Sequence, residues 1–158
     1  MRFLLLLFVF VSLISCKKEK QNDTLINQDV VQDYANLFSA KEKDSISKVI
    51  IDYENISTNQ ICVYVIDSIP NNNNALMYAT TIGQTLGVGQ AEKNNGLLIL
   101  ISTKDRQVAF ATGLGTEKIL TDTICHDLIE NTLIPSFKQS AYFKGVLQVL
   151  DSIKVKWH

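Results

Sequence analysis

Two apolar runs constrain this chain more than anything else in it: Gln60-Ile61-Cys62-Val63-Tyr64-Val65-Ile66 and Leu97-Leu98-Ile99-Leu100-Ile101. Neither alternates with polar residues, and both are rich in branched side chains, the pattern of strands covered on both faces. Between them Ala75, Tyr78, Ala79, Ile82 and Leu86 keep the spacing of one helix face, and Gly87-Val88-Gly89 stops it. A strand, a helix and a strand in so short a stretch make a parallel pair joined by a right-handed crossover.

The flanking segments fill in the rest. Ser39-Ala40-Lys41-Glu42 is a capping box, and it opens a helix with Ile46, Val49, Ile50 and Tyr53 on one face. The stretch from Asp67 to Asn74, with Pro70 and four successive asparagines, is a loop. Asn94-Asn95-Gly96 turns into the second strand, and Thr103-Lys104-Asp105-Arg106 turns out of it. Gln107-Val108-Ala109-Phe110-Ala111-Thr112 then returns as a third strand in a hairpin and ends at Gly113-Leu114-Gly115. A helix capped by Thr121 or Asp122 carries Ile124, Cys125, Leu128 and Ile129 and is expected to end before Pro135. Tyr142, Phe143, Val146, Leu147, Leu150 and Ile153 mark a last helix. This order predicts an α/β fold: a small three-layer domain over residues 30–158, with a mixed, mostly parallel sheet and helices on both faces.

Residues 1–29 read differently. Arg2 precedes an eleven-residue apolar run, Phe3 to Leu13. That is too short to span a bilayer core, which takes about 20 residues, and has the length of a signal-peptide apolar region. Leu13-Ile14-Ser15-Cys16 follows, then Lys17-Lys18-Glu19-Lys20. The four residues resemble the lipobox of bacterial lipoproteins, with Ser15 where Ala or Gly is usual. Residues 1–15 are therefore expected to be a lipoprotein signal peptide, with Cys16 as the lipid attachment point and residues 16–29 as a flexible tether. The twelve residues Lys17 to Gln28, mostly polar, span about 20 Å as a coil and at most about 40 Å when stretched. The expected location is the bacterial cell envelope, anchored to a membrane and facing the periplasm.

Exclusions narrow the chemistry. The net charge is -1, and Arg106 is the one arginine beyond the leader, so the basic surplus of a nucleic-acid binder is missing and no nucleic-acid partner is expected. No G-x-S-x-G elbow accompanies the two histidines, His126 and His158. Position 131, six after Cys125, is Asn, and position 68, six after Cys62, is Ser, so no cysteine-phosphatase loop is present. No set of Cys and His has zinc spacing. An exported protein can join Cys62 to Cys125, but two buried free thiols are the expected state.

Acidic residues offer more once the topology is drawn. Glu54, at the end of the first long helix, falls beside Thr58 and Gln60, and Glu117 and Asp122 follow the third strand onto the same rim. Three such carboxylates meeting in one place suit a hard cation, so Glu54, Glu117 and Asp122 are the candidate metal ligands. Solvated surface charge plus a helix cap is the plain alternative. Asp67 and Asp105 form a weaker rival pair at the opposite rim.

The combined motifs resemble the TPM domain family of bacterial exported proteins and thylakoid-lumen proteins linked to photosystem repair. They run from Val31-x-Asp33-Tyr34-Ala35-x-Leu37-Phe38-Ser39 through Glu54, Thr58-x-Gln60-Ile61-x-Val63 and Asn95-Gly96-Leu97-Leu98-Ile99-Leu100-Ile101. Asp105-Arg106, Gly113-Leu114-Gly115-Thr116-Glu117, Leu120-Thr121-Asp122, Pro135-x-Phe137-Lys138 and Tyr142-Phe143-x-Gly145 complete them. What the resemblance implies is a compact α/β domain, divalent-metal binding at the acidic rim, and an accessory role beside membrane protein complexes; plant forms are associated with acid phosphatase activity. Leu114 departs from the tyrosine usual in that segment, and no transmembrane tail or glycine-rich stretch precedes Trp157-His158, so the lipid is the expected membrane link.

Two functions follow as expectations. The first is a lipid-anchored accessory module that binds a protein partner, with a divalent cation, calcium by preference, ordering the rim. The second is a metal-dependent, acid phosphatase-like hydrolase with a metal-bound water as nucleophile. The first is preferred, because phosphate-binding cations are scarce near that rim, and no catalytic residue is assigned.

Overall fold

The computed structural model describes residues 30–158; the expectations for the signal peptide, Cys16 and the tether lie outside the described residues. The elements in chain order are β1 (Val31–Asp33), α1 (Ala40–Ser57), β2 (Gln60–Ile66), α2 (Ala75–Leu86), β3 (Gly96–Ser102), β4 (Gln107–Thr112), α3 (Asp122–Leu128), α4 (Ile134–Lys138) and α5 (Tyr142–Lys156). The four strands lie side by side as β1-β2-β3-β4. The pairs β1–β2 and β2–β3 are parallel and β3–β4 is antiparallel, with Gln60 opposite Gly96 and Leu97 opposite Thr112. The α/β class and the mixed, mostly parallel sheet are as expected.

Helices cover both faces because successive strand residues point to opposite sides. Ile61, Val63, Val65, Leu97, Ile99, Ile101 and Phe110 face a large core closed by α1, α3 and α5. Cys62, Ile66, Leu98, Leu100 and Ala109 face a smaller core closed by α2 through Ala79 and Ile82. The end of α2 is fixed by Gly87, whose left-handed φ of 66° terminates the helix at no steric cost. The capping box at Ser39 forms as read: Ser39 Oγ accepts from the Glu42 N–H, and the Glu42 carboxylate accepts from the Ser39 N–H at 2.8 Å.

Two expectations are corrected. An edge strand, β1, precedes the first helix; its three residues are too few for any period and form only by pairing with β2. The helix after Thr121 does not stop at Pro135. A single π turn over Ile129–Leu133 carries it into α4, where Pro135 sits in the first turn and needs no hydrogen-bond donor. Thr121, not Asp122, is the cap of α3. Cys62 and Cys125 are buried thiols not joined in a disulfide, and they lie in the cores on opposite faces of the sheet.

Candidate functional site

The rim at which β2 and β3 begin and β4 ends is a hydrogen-bonded knot. Glu54, in the last turns of α1, is only 9% exposed. Its Oε1 accepts from Gln60 Nε2 at 2.9 Å, and Gln60 Oε1 accepts from the Gly89 N–H at 2.7 Å. Burial pushes the Glu54 carboxyl above its ordinary value, and the Gln60 hydrogen bond opposes that in part. Asn95, also buried, accepts from the Gln90 N–H at 2.8 Å and donates to the Thr58 carbonyl at 2.7 Å. Thr116, fully buried, donates to the Gly96 carbonyl at 2.9 Å. A Cβ on Gly96 would strike the Val88 carbonyl, and one on Gly115 would strike the Lys93 carbonyl. Here the glycines of both motifs let backbone meet backbone.

Glu54 is committed to Gln60. Glu117 is an exposed loop residue and Asp122 is exposed in the first turn of α3. Among the described residues no three Asp, Glu, His or Cys side chains are gathered where they can hold a metal ion. The structure thus sets Glu54 inside the knot and Glu117 and Asp122 at the surface, and does not gather the three expected calcium ligands into one cluster. The rival acids at the opposite rim have structural duties. Asp67 pairs with Lys104 at 2.8 Å. Asp105 accepts from the Ile69 N–H at 2.6 Å and from the Ser102 hydroxyl at 2.8 Å, and these bonds hold its carboxyl below the usual range.

The Cys125 thiol is shielded as well. Burial, with a smaller push from the Asp122 charge, raises the Cys125 thiol to about 11, so it stays protonated at neutral pH. His126 is exposed on α3.

Two surface features escaped the sequence reading. The knotted rim exposes four large apolar side chains: Ile56 (86%), Leu114 (67%), Ile119 (43%) and Val155 (76%). Ile56 ends α1, Leu114 and Ile119 sit in the loop after β4, and Val155 is in the last turn of α5. The last turn of α5 is drawn to this rim because Tyr53 and Asn59 both donate to the Trp157 carbonyl. At the other end a cavity of about 480 Å³ opens between the β3–β4 turn and the α4–α5 junction, lined among others by Ile101, Val108, Phe137 and Tyr142, with Arg106 and Lys138. Residue pairs as far apart in sequence as Arg106 and Lys138 carry no local signal.

Residues 31–156 match the model of the TPM domain. No curated protein matches the chain. Among solved structures, the N-terminal domain of a protein from P. gingivalis is 27% identical, with a TM-score of 0.70 over 84% of this chain and 88% of that one. The N-terminal domain of a Corynebacterium glutamicum protein is 21% identical, with a TM-score of 0.65 over 83% of this chain and 81% of that one. The BA42 protein of the psychrophile Bizionia argentinensis is 18% identical, with a TM-score of 0.68 over 79% of this chain and 88% of that one.

Proposed function

The chain belongs to the TPM domain family, and from that premise we propose that it is a lipid-anchored accessory module of the bacterial cell envelope whose knotted rim docks on a protein partner. The observation that carries the reading is the set of exposed apolar side chains at that rim, Ile56, Leu114, Ile119 and Val155, beside the hydrogen-bonded knot of Glu54, Gln60, Asn95 and Thr116. Large apolar groups displayed together are the raw material of a protein interface. Leu114 stands in the glycine-flanked segment where the family usually has tyrosine, another side chain suited to an interface core. Among the described residues no helix is long and apolar enough to cross a membrane; the membrane link in this reading is acylated Cys16, with residues 16–29 as tether. Several acyl chains on one residue hold a protein to a bilayer, whereas one chain binds only marginally.

The test has three arms. Cys16→Ala should move the protein from the membrane to the soluble fraction, and continued retention would refute the anchor. Leu114→Asp with Ile119→Asp should abolish co-purification of the partner from detergent-solubilised envelopes while leaving circular dichroism unchanged. A phosphate ester turned over by the purified protein, with turnover lost in Glu117→Gln, would replace this reading with the hydrolase.

A further inference from the structure

The cavity at the end of the sheet opposite the docking rim has a partly apolar lining and a cationic mouth. Its volume, about 480 Å³, lies within the range of about 300–1,000 Å³ typical of small-molecule sites. Ile101, Val108 and the tilted pair Phe137 and Tyr142, with ring centroids 4.9 Å apart, supply the apolar surface. Arg106 and Lys138 stand exposed at the edge.

The charges around this turn are matched with one exception. Lys104 is paired with Asp67, and Asp105 is turned toward the Ile69 N–H and the Ser102 hydroxyl. Arg106, held at a left-handed φ of 55°, follows directly and forms no ion pair among the described residues, nor does Lys138. A third source of positive potential adjoins them. The fifteen-residue α5 begins after Ala141 without a side-chain cap, and Ser140 and Tyr142, on either side of that start, both line the cavity. An uncapped helix start carries unsatisfied N–H groups and the positive end of the helix dipole.

From the cavity and its two unmatched cations we infer that this site binds a small organic anion, with a carboxylate or phosphate head at Arg106 and Lys138 and an aromatic or aliphatic body against Phe137 and Tyr142. Arg106 supplies a planar fork that grips such a head through two parallel hydrogen bonds, and Lys138 supplies a point charge. The site is independent of the docking rim, because the two lie at opposite ends of β3.

Titration calorimetry on the full chain in mild detergent tests this with N-acetyl-phenylalanine, its neutral amide, phenyl phosphate and inorganic phosphate. N-acetyl-phenylalanine or phenyl phosphate should bind at least tenfold more tightly than the amide, and the preferred one identifies the head group. Inorganic phosphate should bind more weakly than either. Arg106→Gln and Lys138→Gln, both exposed positions, should each weaken binding fivefold or more with circular dichroism unchanged, and added salt should weaken it further. Equal binding of acid and amide, tightest binding of bare phosphate, no binding of any probe, or a double variant that binds like the parent would overturn the inference.

Discussion

Trp157→Ala isolates how much of the fold depends on one side chain at the end of α5. Trp157 is 2% exposed, and its ring lies 6.1 Å from that of Tyr53 at a tilt of 54°. Its backbone carbonyl accepts from Tyr53 Oη and from Asn59 Nδ2, and Asn59 also donates to Tyr53 Oη at 2.9 Å. Alanine keeps that carbonyl and with it the hydrogen bonds, so the perturbation is the indole alone. A buried tryptophan covers roughly 150–250 Å², worth about 4–6 kcal/mol at about 25 cal/mol per Å². Measured large-to-small losses of about 3–5 kcal/mol agree. Set against about 5–15 kcal/mol for a whole domain, this substitution should consume a large share of the stability. Trp157→Phe should cost only about 1–2 kcal/mol, because most of the contact with Tyr53 survives. Urea unfolding followed by far-ultraviolet circular dichroism is the assay, since the chain holds a single tryptophan and fluorescence would be lost with it. A loss below about 1 kcal/mol for Trp157→Ala, with an unchanged denaturant slope, would refute the claim that this side chain clamps α5 to α1.

Glu54→Gln should gain on the parent as pH rises. Burial raises the Glu54 carboxyl in the fold, so its contribution is fully present below the unfolded-state value of about 4.3 and is lost as pH climbs through the folded value. Glutamine keeps an acceptor for Gln60 and removes the ionisation, so stability curves of the two proteins should converge near pH 4 and separate by pH 7; a pH-independent gap would count against it. Gly96→Ala forces a methyl into the Val88 carbonyl, and since backbone cannot yield, the loss should exceed about 3 kcal/mol. Gly87→Ala meets open space and only a left-handed φ, so it should cost about 1 kcal/mol; equal losses would show the knot to be loose. In a Cys16→Ala background at pH 8, Cys125 at about 11 leaves about one thiol in a thousand ionised, so a disulfide reagent should label it only on unfolding, and prompt labelling of the folded protein would contradict its burial.

Sheet and helices were legible because each carries a local pattern, unbroken apolar runs in the central strands and a 3.6-residue spacing in the helices. The Gln60–Ile66 and Leu97–Ile101 runs are buried on both faces as read, and Ser39 and Glu42 form the box that their spacing announces. What escaped lies in pairings that no local pattern records. Val31–Asp33 becomes a strand only beside β2. Pro135 reads as a stop, yet the preceding π turn shifts the register so that it falls where a helix tolerates it. At the acidic rim, topology correctly puts Glu54 near Gln60, but composition cannot tell a carboxylate facing solvent from one taken by a buried amide. The cavity joins a hairpin turn to a helix junction, and only the packed domain brings Arg106 and Lys138 to one opening.

Strand order and sequence order coincide in this domain. As the chain leaves the ribosome, each newly made strand therefore finds its neighbour already in place, and none has to wedge between two that have paired. The sheet grows at one edge only, and β4, bent back by a short turn, is added last. Neighbours close in sequence keep the entropic toll of loop closure small, so this architecture lends itself to assembly during synthesis and limits the time sticky intermediates stay uncovered.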